Sequence, residues 1–169
     1  MCMIKITWHN EPVPQNMKIK QVYGIVFNEN GKILMRVENN NGKKNYSFGG
    51  GTPEVFDKDI EDTLRREMIE EVNTSLQDKI LYVGYQKIDL GDGRPFAQVR
   101  MTALIKNIGP KQPDPDGGEI YDRVFVSPKK AITLLNWGEE GKQQIEQAFR
   151  IAKRYLEIPT IDDDEEIWI

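Results

Sequence analysis

A glycine-rich turn followed by an acidic, amphipathic helix restricts the fold of this chain more than any other feature of its sequence. The turn contains Gly49, Gly50 and Gly51, and the pattern after it predicts a helix from about Asp59 to Val72. Aspartate is a favoured N-cap, and acidic residues in a first turn suit the positive end of a helix dipole. The stretch therefore predicts the end of a strand, a tight turn, a loop and then a well-marked helix.

The predicted helix has one apolar face. Ile60, Leu64, Met68 and Val72 recur every four residues. Residues at that spacing lie on one side of a helix, and we expect this side to be buried.

Three carboxylates converge on a second face of the same helix. Glu67, Glu70 and Glu71 stand at i, i+3 and i+4 and fall within an arc of about 100°. Like charges at this spacing repel unless a cation lies among them, and oxygen ligands suit Mg²⁺ or Mn²⁺. The alternative is a solvated acidic helix face. The glycines upstream favour a metal platform, because backbone without a Cβ can approach a ligand closely.

From Gly50 to Asn73 the sequence resembles the Nudix hydrolase family. The family signature is a Gly, five residues, a Glu, seven residues, and then Arg-Glu-apolar-any-Glu-Glu-any-Gly-apolar. The run 66–72 matches the second half residue for residue, and Gly50 and Gly51, with Glu54 three residues further on, match the first half. The part of the signature that binds metal in the family is therefore intact.

The loop half of the signature departs from the family pattern. Asp57 stands for the expected Glu, and the gap from it to Arg66 is one residue too long. Asn73 replaces the Gly that ends the helix, which is a mild change because Asn also adopts the left-handed conformation of a C-cap. Metal binding is thus better supported than substrate geometry.

The resemblance implies a fold and a reaction. The predicted order of strands, helix, strands and helices fits an α/β or α+β chain, and the family sharpens this to an α/β/α sandwich with a mixed sheet. The reaction implied is hydrolysis of a diphosphate bond in a nucleoside diphosphate linked to another moiety. The cofactor implied is Mg²⁺, with Mn²⁺ as a substitute, which lowers the pKa of an attacking water.

The resemblance also implies roles for individual residues. Glu67, Glu70 and Glu71, with the Gly50 carbonyl, would hold the metal, and Glu67 or Glu119 is the candidate base. Asp122 could take the role of Glu119 instead. The alternative interpretation of Glu119 is an ordinary carboxylate at the edge of a loop. Three further roles follow. Arg36 would either face the substrate phosphates or be a solvated strand residue, and Gly51 and Glu54 would lie near the substrate. Arg66 would hold the loop by pairing with Glu54.

Composition limits the class of protein. The 169 residues and 38% hydrophobic content suit one domain over residues 1–169. A net charge of −4 and a pI of about 5.2 argue against a nucleic-acid surface and leave a small-molecule nucleotide as the partner. No apolar run is as long as a membrane span, the start lacks the pattern of a signal peptide, and the single cysteine, Cys2, suggests a reducing compartment. We therefore expect a cytoplasmic protein.

Strand and loop signals divide the rest of the chain. Residues 1–19 form a strand or partner-binding arm, and residues 157–169 form an acidic, extended tail that could dock on a partner or a second copy in a homodimer. The predicted elements between them are a hairpin of Lys20–Phe27 and Lys32–Glu38, a mobile loop at 39–45, a strand pair of Lys79–Leu90 and Phe96–Lys106, a strand at 119–126 and helices after Ser127 and from Gly138 to about Leu156.

Two questions stay open at this level. Tyr82, Tyr85, Phe96 and Arg100 either line a cleft for a base or, as aromatic strand residues more often do, belong to the core. The function is either hydrolysis, or nucleotide binding without catalysis on the same fold, or interaction with a partner through the tail and the first strand.

Overall fold

The computed structural model describes residues 3–169 and contains one nine-stranded sheet with helices on both of its faces. Cys2, on which the predicted reducing compartment rests, lies outside these residues. The elements are β1 (Lys5–His9), β2 (Lys18–Phe27), β3 (Ile33–Asn40), β4 (Lys43–Ser47), β5 (Gly49–Gly51), α1 (Ile60–Val72), β6 (Thr74–Asp89), β7 (Phe96–Ile108), β8 (Asp122–Val126), α2 (Pro128–Leu135), α3 (Gly138–Tyr155) and β9 (Ile167–Trp168).

The sheet is mixed, as predicted. Its strand order is β1-β6-β7-β2-β3-β8-β9, with β4 paired to β3 and β5 paired to β2. The β2–β7 pair is parallel, and the other pairs in the described part of the chain are antiparallel. The two predicted hairpins, β2–β3 and β6–β7, are both present.

Alternation along β2 separates the two layers of the core. Val22 and Val26 belong to the cluster that includes Leu64 and Met68 of α1, whereas Ile25 and Phe27 belong to the cluster on the other face with α2 and α3. Successive side chains of a strand point to opposite faces, so one strand supplies both layers. The predicted α/β/α sandwich is confirmed.

The predicted mobile loop at 39–45 is wrong. Residues 40 and 43 are instead paired across a tight hairpin between β3 and β4. Asn41 and Gly42 form its turn with φ values of +52° and +83°. Asn-Gly is a preferred pair for a two-residue hairpin turn with two positive φ angles, and this local signal outweighs the polarity of the segment.

The predicted strand at 119–126 is shorter than expected, because β8 begins at Asp122. Before it, the amide of Asp114 donates to the carbonyl of Glu119 at 2.8 Å, which closes a loop. Ile120, which lies within the predicted strand, is 60% exposed. Glu119 therefore lies on a loop and not on a strand.

Both ends of the described chain pair with its own sheet. β1 is an edge strand on β6, and β9 pairs with β8 through Phe125 opposite Ile167 and Val124 opposite Trp168. The tail is thus docked on this chain. Lys32 fastens it, because its ammonium donates to the Asp163 carboxylate and to the Glu165 carbonyl, both at 2.7 Å. Among the described residues, no helix combines the length and hydrophobicity that a membrane crossing requires.

Candidate active site

Helix α1 presents the predicted carboxylates next to the glycine turn. Asp59 is its N-cap, with a side chain that accepts a hydrogen bond from the Asp62 amide at 2.8 Å, and Asn73 is the left-handed C-cap. On the helix, Glu67 and Glu71 are each only 7% exposed. The helix therefore holds two of its three predicted ligand carboxylates in a largely desolvated place.

The backbone of β5 lies directly against the Glu67 carboxyl group. A Cβ added to Gly51 would overlap the carboxyl group of Glu67. Gly50 has a φ of +153°, and a Cβ there would overlap the carbonyl oxygen of Val22 on the neighbouring strand. Only glycine allows these close approaches of β5 to α1 and to β2.

Two arginines supply the counter-charge to the α1 carboxylates. Arg66 donates from Nη1 to Glu67 at 2.9 Å and to Glu70 at 3.2 Å. Arg36, from β3, donates from Nη1 to Glu71. Within residues 3–169, no three acidic, histidine or cysteine side chains are arranged around one point as ligands of a metal. The three glutamates are brought together, but in arginine-paired positions.

Burial makes this cluster costly to ionise. Burial raises the pKa of Glu71 to about 7, an effect that Arg36 opposes and the charges of Glu67 and Asp114 increase. Burial also raises the pKa of Glu67, where Arg66 opposes the effect and Glu70 and Asp116 add to it. An additional cation at this position would be stabilised by several carboxylates at once.

A cavity of about 530 Å³ opens on the α3 side of the sheet. Arg36 borders it, so this residue connects the cavity with Glu71 on the α1 side. The Arg36 guanidinium also lies 4.6 Å from the centre of the Tyr121 ring, and its Nε donates to Ser47 Oγ at 3.1 Å. The other lining residues are Ile6, Tyr23, Ser47, Phe48, Gln86, Gln98, Arg100, Trp137 and Glu140.

Of the four residues predicted for a base cleft, the structure places one on this cavity. Arg100 lines it, whereas Tyr82 and Tyr85 pack with the cluster on the α1 side of the sheet. Phe96 lies away from it, beneath the ammonium of Lys20 at 4.2 Å from the ring centre. The cleft interpretation is therefore wrong for these three aromatics, and the core interpretation is confirmed for Tyr82 and Tyr85.

Comparison with protein families decides the assignment. The family model of the NUDIX domain matches residues 17–149. This chain belongs to the NUDIX domain family. No curated protein matches the chain.

Solved structures share the Nudix fold with this chain. A NUDIX hydrolase from Nitrosomonas europaea aligns with 88% of this chain and 100% of its own, with a TM-score of 0.61 and 19% identity. The NUDIX domain of Shewanella oneidensis NrtR, complexed with ADP ribose, aligns with 79% of this chain and 87% of its own, with a TM-score of 0.55 and 17% identity. For the Bacillus subtilis pyrophosphohydrolase BsRppH, the alignment spans 63% of each chain with a TM-score of 0.50 and 23% identity.

The altered loop half of the Nudix signature has a defined structural role. Arg66 donates to Asp57 through Nε at 3.1 Å and Nη2 at 2.9 Å, and it also donates to the Thr52 carbonyl at 3.0 Å. The hydrogen bonds from Arg66 lower the pKa of Asp57. The predicted pairing of Arg66 with Glu54 is therefore wrong, since Glu54 is exposed and donates only its backbone amide to Asp57.

The loop before β8 brings acids to the Nudix helix that sequence reasoning missed. Glu119 is exposed, and Asp122 forms a surface pair with Lys111 at 2.8 Å. The charge of Asp114 instead contributes to the raised pKa of Glu71, and the charge of Asp116 contributes to the raised pKa of Glu67. Asp114 accepts a hydrogen bond from the Asp116 amide at 2.9 Å, an Asx turn for which the Asp-Pro-Asp-Gly sequence was the available signal.

Proposed function

We propose that this Nudix domain hydrolyses the diphosphate bond of a nucleoside diphosphate derivative with Mg²⁺ as cofactor. The observation that carries the proposal is the position of Glu67, Glu70 and Glu71 on α1, with the Glu67 carboxyl group beside the Gly51 backbone and Glu71 paired with an arginine that borders a cavity. Family membership supports this use of the cluster, and the solved pyrophosphohydrolase shares the fold.

The donor atoms of the proposed site have the chemistry that a hard divalent cation requires. All of them are oxygen atoms, from the carboxylates of Glu67, Glu70 and Glu71 and from the carbonyl of Gly50. Such ligands suit Mg²⁺, and Mn²⁺ is the expected substitute. When bound, the ion would neutralise phosphate oxygens and lower the pKa of a water molecule.

The chain's own residues would position the substrate and accept the proton. Arg36 is placed to donate hydrogen bonds to the phosphates, since it lies between the cavity and Glu71. Glu67 is a better candidate base than Glu119, because its carboxylate is beside the glycine backbone whereas Glu119 is exposed on a loop. A water oxygen would form the new bond to phosphorus, its proton would pass to the Glu67 carboxylate, and the leaving phosphate would take the bonding electron pair.

Glu70→Gln tests this function. We expect a loss of Mg²⁺-dependent turnover of at least about 100-fold, because even residues behind the direct ligands of a metal change activity about 10- to 100-fold. The fold should survive, since Glu70 is partly exposed and its pair with Arg66 contributes about 1 kcal/mol or less. Glu61→Gln, in the first turn of the same helix, is the matched control.

The assay is a substrate screen with and without Mg²⁺. Nucleoside triphosphates, ADP-ribose, dinucleoside polyphosphates and sugar nucleotides would be tested for release of phosphate or monophosphate. Full activity in the Glu70→Gln protein would contradict the metal assignment.

The pairing of all three glutamates with arginines favours one second candidate, a nucleotide-binding domain without catalysis. Calorimetric binding of a nucleoside diphosphate derivative with no product released in Mg²⁺ or Mn²⁺ would select it. The extent of the domain over residues 1–169, the cytoplasmic location and a homodimer remain predictions from the sequence.

A further inference from the structure

Arg100 is a buried guanidinium that binds only neutral groups. It is 1% exposed on β7. Its Nε donates to Gln144 Oε1 at 2.8 Å, its Nη2 to Gln86 Oε1 at 2.6 Å and its Nη1 to the Gln98 carbonyl at 3.3 Å. Within residues 3–169, no carboxylate lies within 4.0 Å of it. Because removing a cation from water costs several kcal/mol, a position of this kind needs an explanation other than stability.

The surroundings fix the guanidinium in one orientation. It lies 4.8 Å from the centre of the Tyr23 ring and 5.8 Å from that of Trp137. The three hydrogen bonds above use three of the five N–H groups that an arginine carries. One N–H on each of Nη1 and Nη2 has no hydrogen-bond partner among the described residues, and Arg100 borders the cavity.

The cavity has the size and walls of a site for a planar ring. Its volume of about 530 Å³ is within the range of ligand pockets. Phe48 and Trp137 meet edge to face at 6.1 Å between ring centres, and together with Tyr23 they make its aromatic walls. Through Arg36 it adjoins the carboxylates of α1, so a substrate with its diphosphate at those carboxylates would place its other end here.

The polar groups of the cavity define what such a ring must carry. Gln86 accepts from Arg100 through its amide oxygen, which leaves its amide nitrogen as a second donor. Glu140 is the acceptor among the lining side chains that carries a charge. An arginine fork pairs with two adjacent acceptors on one edge, as the O6 and N7 atoms of guanine provide, whereas adenine places an amino donor beside N7.

We propose that Arg100 makes this cavity selective for a guanine-type base, a planar ring with two adjacent hydrogen-bond acceptors on one edge. Glu140 would accept from the N–H groups on the opposite part of the ring. The location of the diphosphate depends on the proposed function, but the choice of base by Arg100 does not depend on catalysis.

Binding of mononucleotides to the intact protein in EDTA tests the proposal. Intrinsic tryptophan fluorescence, to which Trp137 of the cavity wall contributes, and calorimetry would follow the binding of GMP, AMP, IMP and 7-deaza-GMP. A bidentate arginine contact is worth about 1–3 kcal/mol of discrimination, so GMP should bind about 5- to 150-fold more tightly than AMP. IMP keeps O6 and N7 but lacks the N2 amino group, so it should bind more tightly than AMP and no more tightly than GMP. 7-Deaza-GMP lacks the N7 acceptor and should bind about as weakly as AMP. Equal binding of GMP and AMP, full binding of 7-deaza-GMP, or no binding of any of the four overturns the proposal.

Arg100→Met is the matching protein variant, and it should bind GMP and AMP equally. Arg94→Met, at an exposed arginine in the β6–β7 turn, is the control and should keep the preference for GMP. A preference for GMP in a folded Arg100→Met protein would overturn the proposal. If that variant fails to fold, the four nucleotides on the unaltered chain still decide the question.

The outcome is separable from that of the proposed hydrolysis, because a monophosphate in EDTA reports binding alone. If the protein binds GMP and AMP equally but its hydrolysis depends on Glu70, only the proposed base selectivity of Arg100 is contradicted. If the protein prefers GMP but hydrolyses no substrate, the base selectivity is supported and the proposed hydrolase activity is contradicted.

Discussion

Asp57→Asn is expected to destabilise the protein by weakening the pair that holds the loop before the Nudix helix. Asp57 Oδ1 accepts from Arg66 Nε, and Oδ2 accepts from Arg66 Nη2, the Glu54 amide and Thr63 Oγ1. Asparagine has only one acceptor oxygen. The asparagine side chain would adopt the less costly of its two orientations, with its oxygen at the Oδ2 position, where three donors meet. Its NH₂ group would then face Arg66 Nε.

The magnitude follows from what this orientation loses. One charge-assisted hydrogen bond is worth about 1.5–3 kcal/mol. Breaking a fully buried ion pair costs about 3–5 kcal/mol, which is an upper limit here because the Arg66 side chain is 17% exposed. We therefore expect a loss of about 2–3 kcal/mol in the free energy of unfolding at pH 7.

The loss should depend on pH in a defined direction. The hydrogen bonds from Arg66 lower the pKa of Asp57 in the folded state, so the unfolded state binds more protons in acid. The stabilisation is fully present above the unfolded pKa of about 3.9 and is lost as the pH falls through the folded pKa. The difference between wild type and Asp57→Asn should be constant from about pH 5 to 8 and shrink below about pH 4.

Urea unfolding at several pH values measures this difference. Asp59→Asn is the control, because Asn is as good an N-cap as Asp, and it should change stability by less than about 0.5 kcal/mol. The reasoning is refuted if the two variants are equally stable, or if the effect of Asp57→Asn persists unchanged in acid.

The tail and the glycine turn each allow a further mutational test. Removing residues 159–169 should lower the melting temperature by several degrees, because the buried ammonium of Lys32 loses both of its acceptors in the tail; adding Lys32→Met to the truncated chain should recover part of the loss. Gly51→Ala should reduce Mg²⁺-dependent turnover about tenfold or more by displacing the Glu67 carboxyl group, whereas Gly117→Ala, where a Cβ meets no atom, should leave turnover unchanged.

Local signals explain why the Nudix helix could be predicted closely. The apolar spacing and the aspartate cap are properties of consecutive residues, and the helix begins at Ile60 with Asp59 as its N-cap. The β2–β3 hairpin is similar, because Asn28 accepts the amides of Asn30 and Lys32 within its own turn. Structure that depends on neighbouring residues can be deduced from their order.

Pairing between distant charges could not be deduced in the same way. Glu71 pairs with Arg36, which lies 35 positions earlier on a strand. Glu54 and Asp57 were both available to Arg66 from their positions in the sequence. The choice of Asp57 depends on a turn in which the Asp57 amide donates to the Glu54 carbonyl at 3.0 Å, and this turn is visible only in the fold.

The direction of side chains on β6 and β7 decides which residues reach the cavity. Tyr85 is opposite Val99, and Gln86 is opposite Gln98. Residues opposite each other share a face, and successive residues alternate, so Arg100 faces the cavity with Gln86 while Tyr85 must point to α1.

Two further effects separate the aromatics from Arg100. Phe96 and Arg100 are four residues apart on β7, so their side chains are on the same face of the sheet. Four residues of a strand span about 13 Å, so Phe96 lies beyond the aromatic walls of the cavity. Tyr82 and Tyr85 differ in parity and would point to opposite faces of a regular strand. The irregularity between Tyr82 and Gly84 shifts this alternation by one residue and brings both tyrosines to the α1 side. Residue types alone could therefore not show that Arg100 reaches the cavity while the three aromatics do not, because the face of each side chain depends on register and bulges that long-range pairing sets.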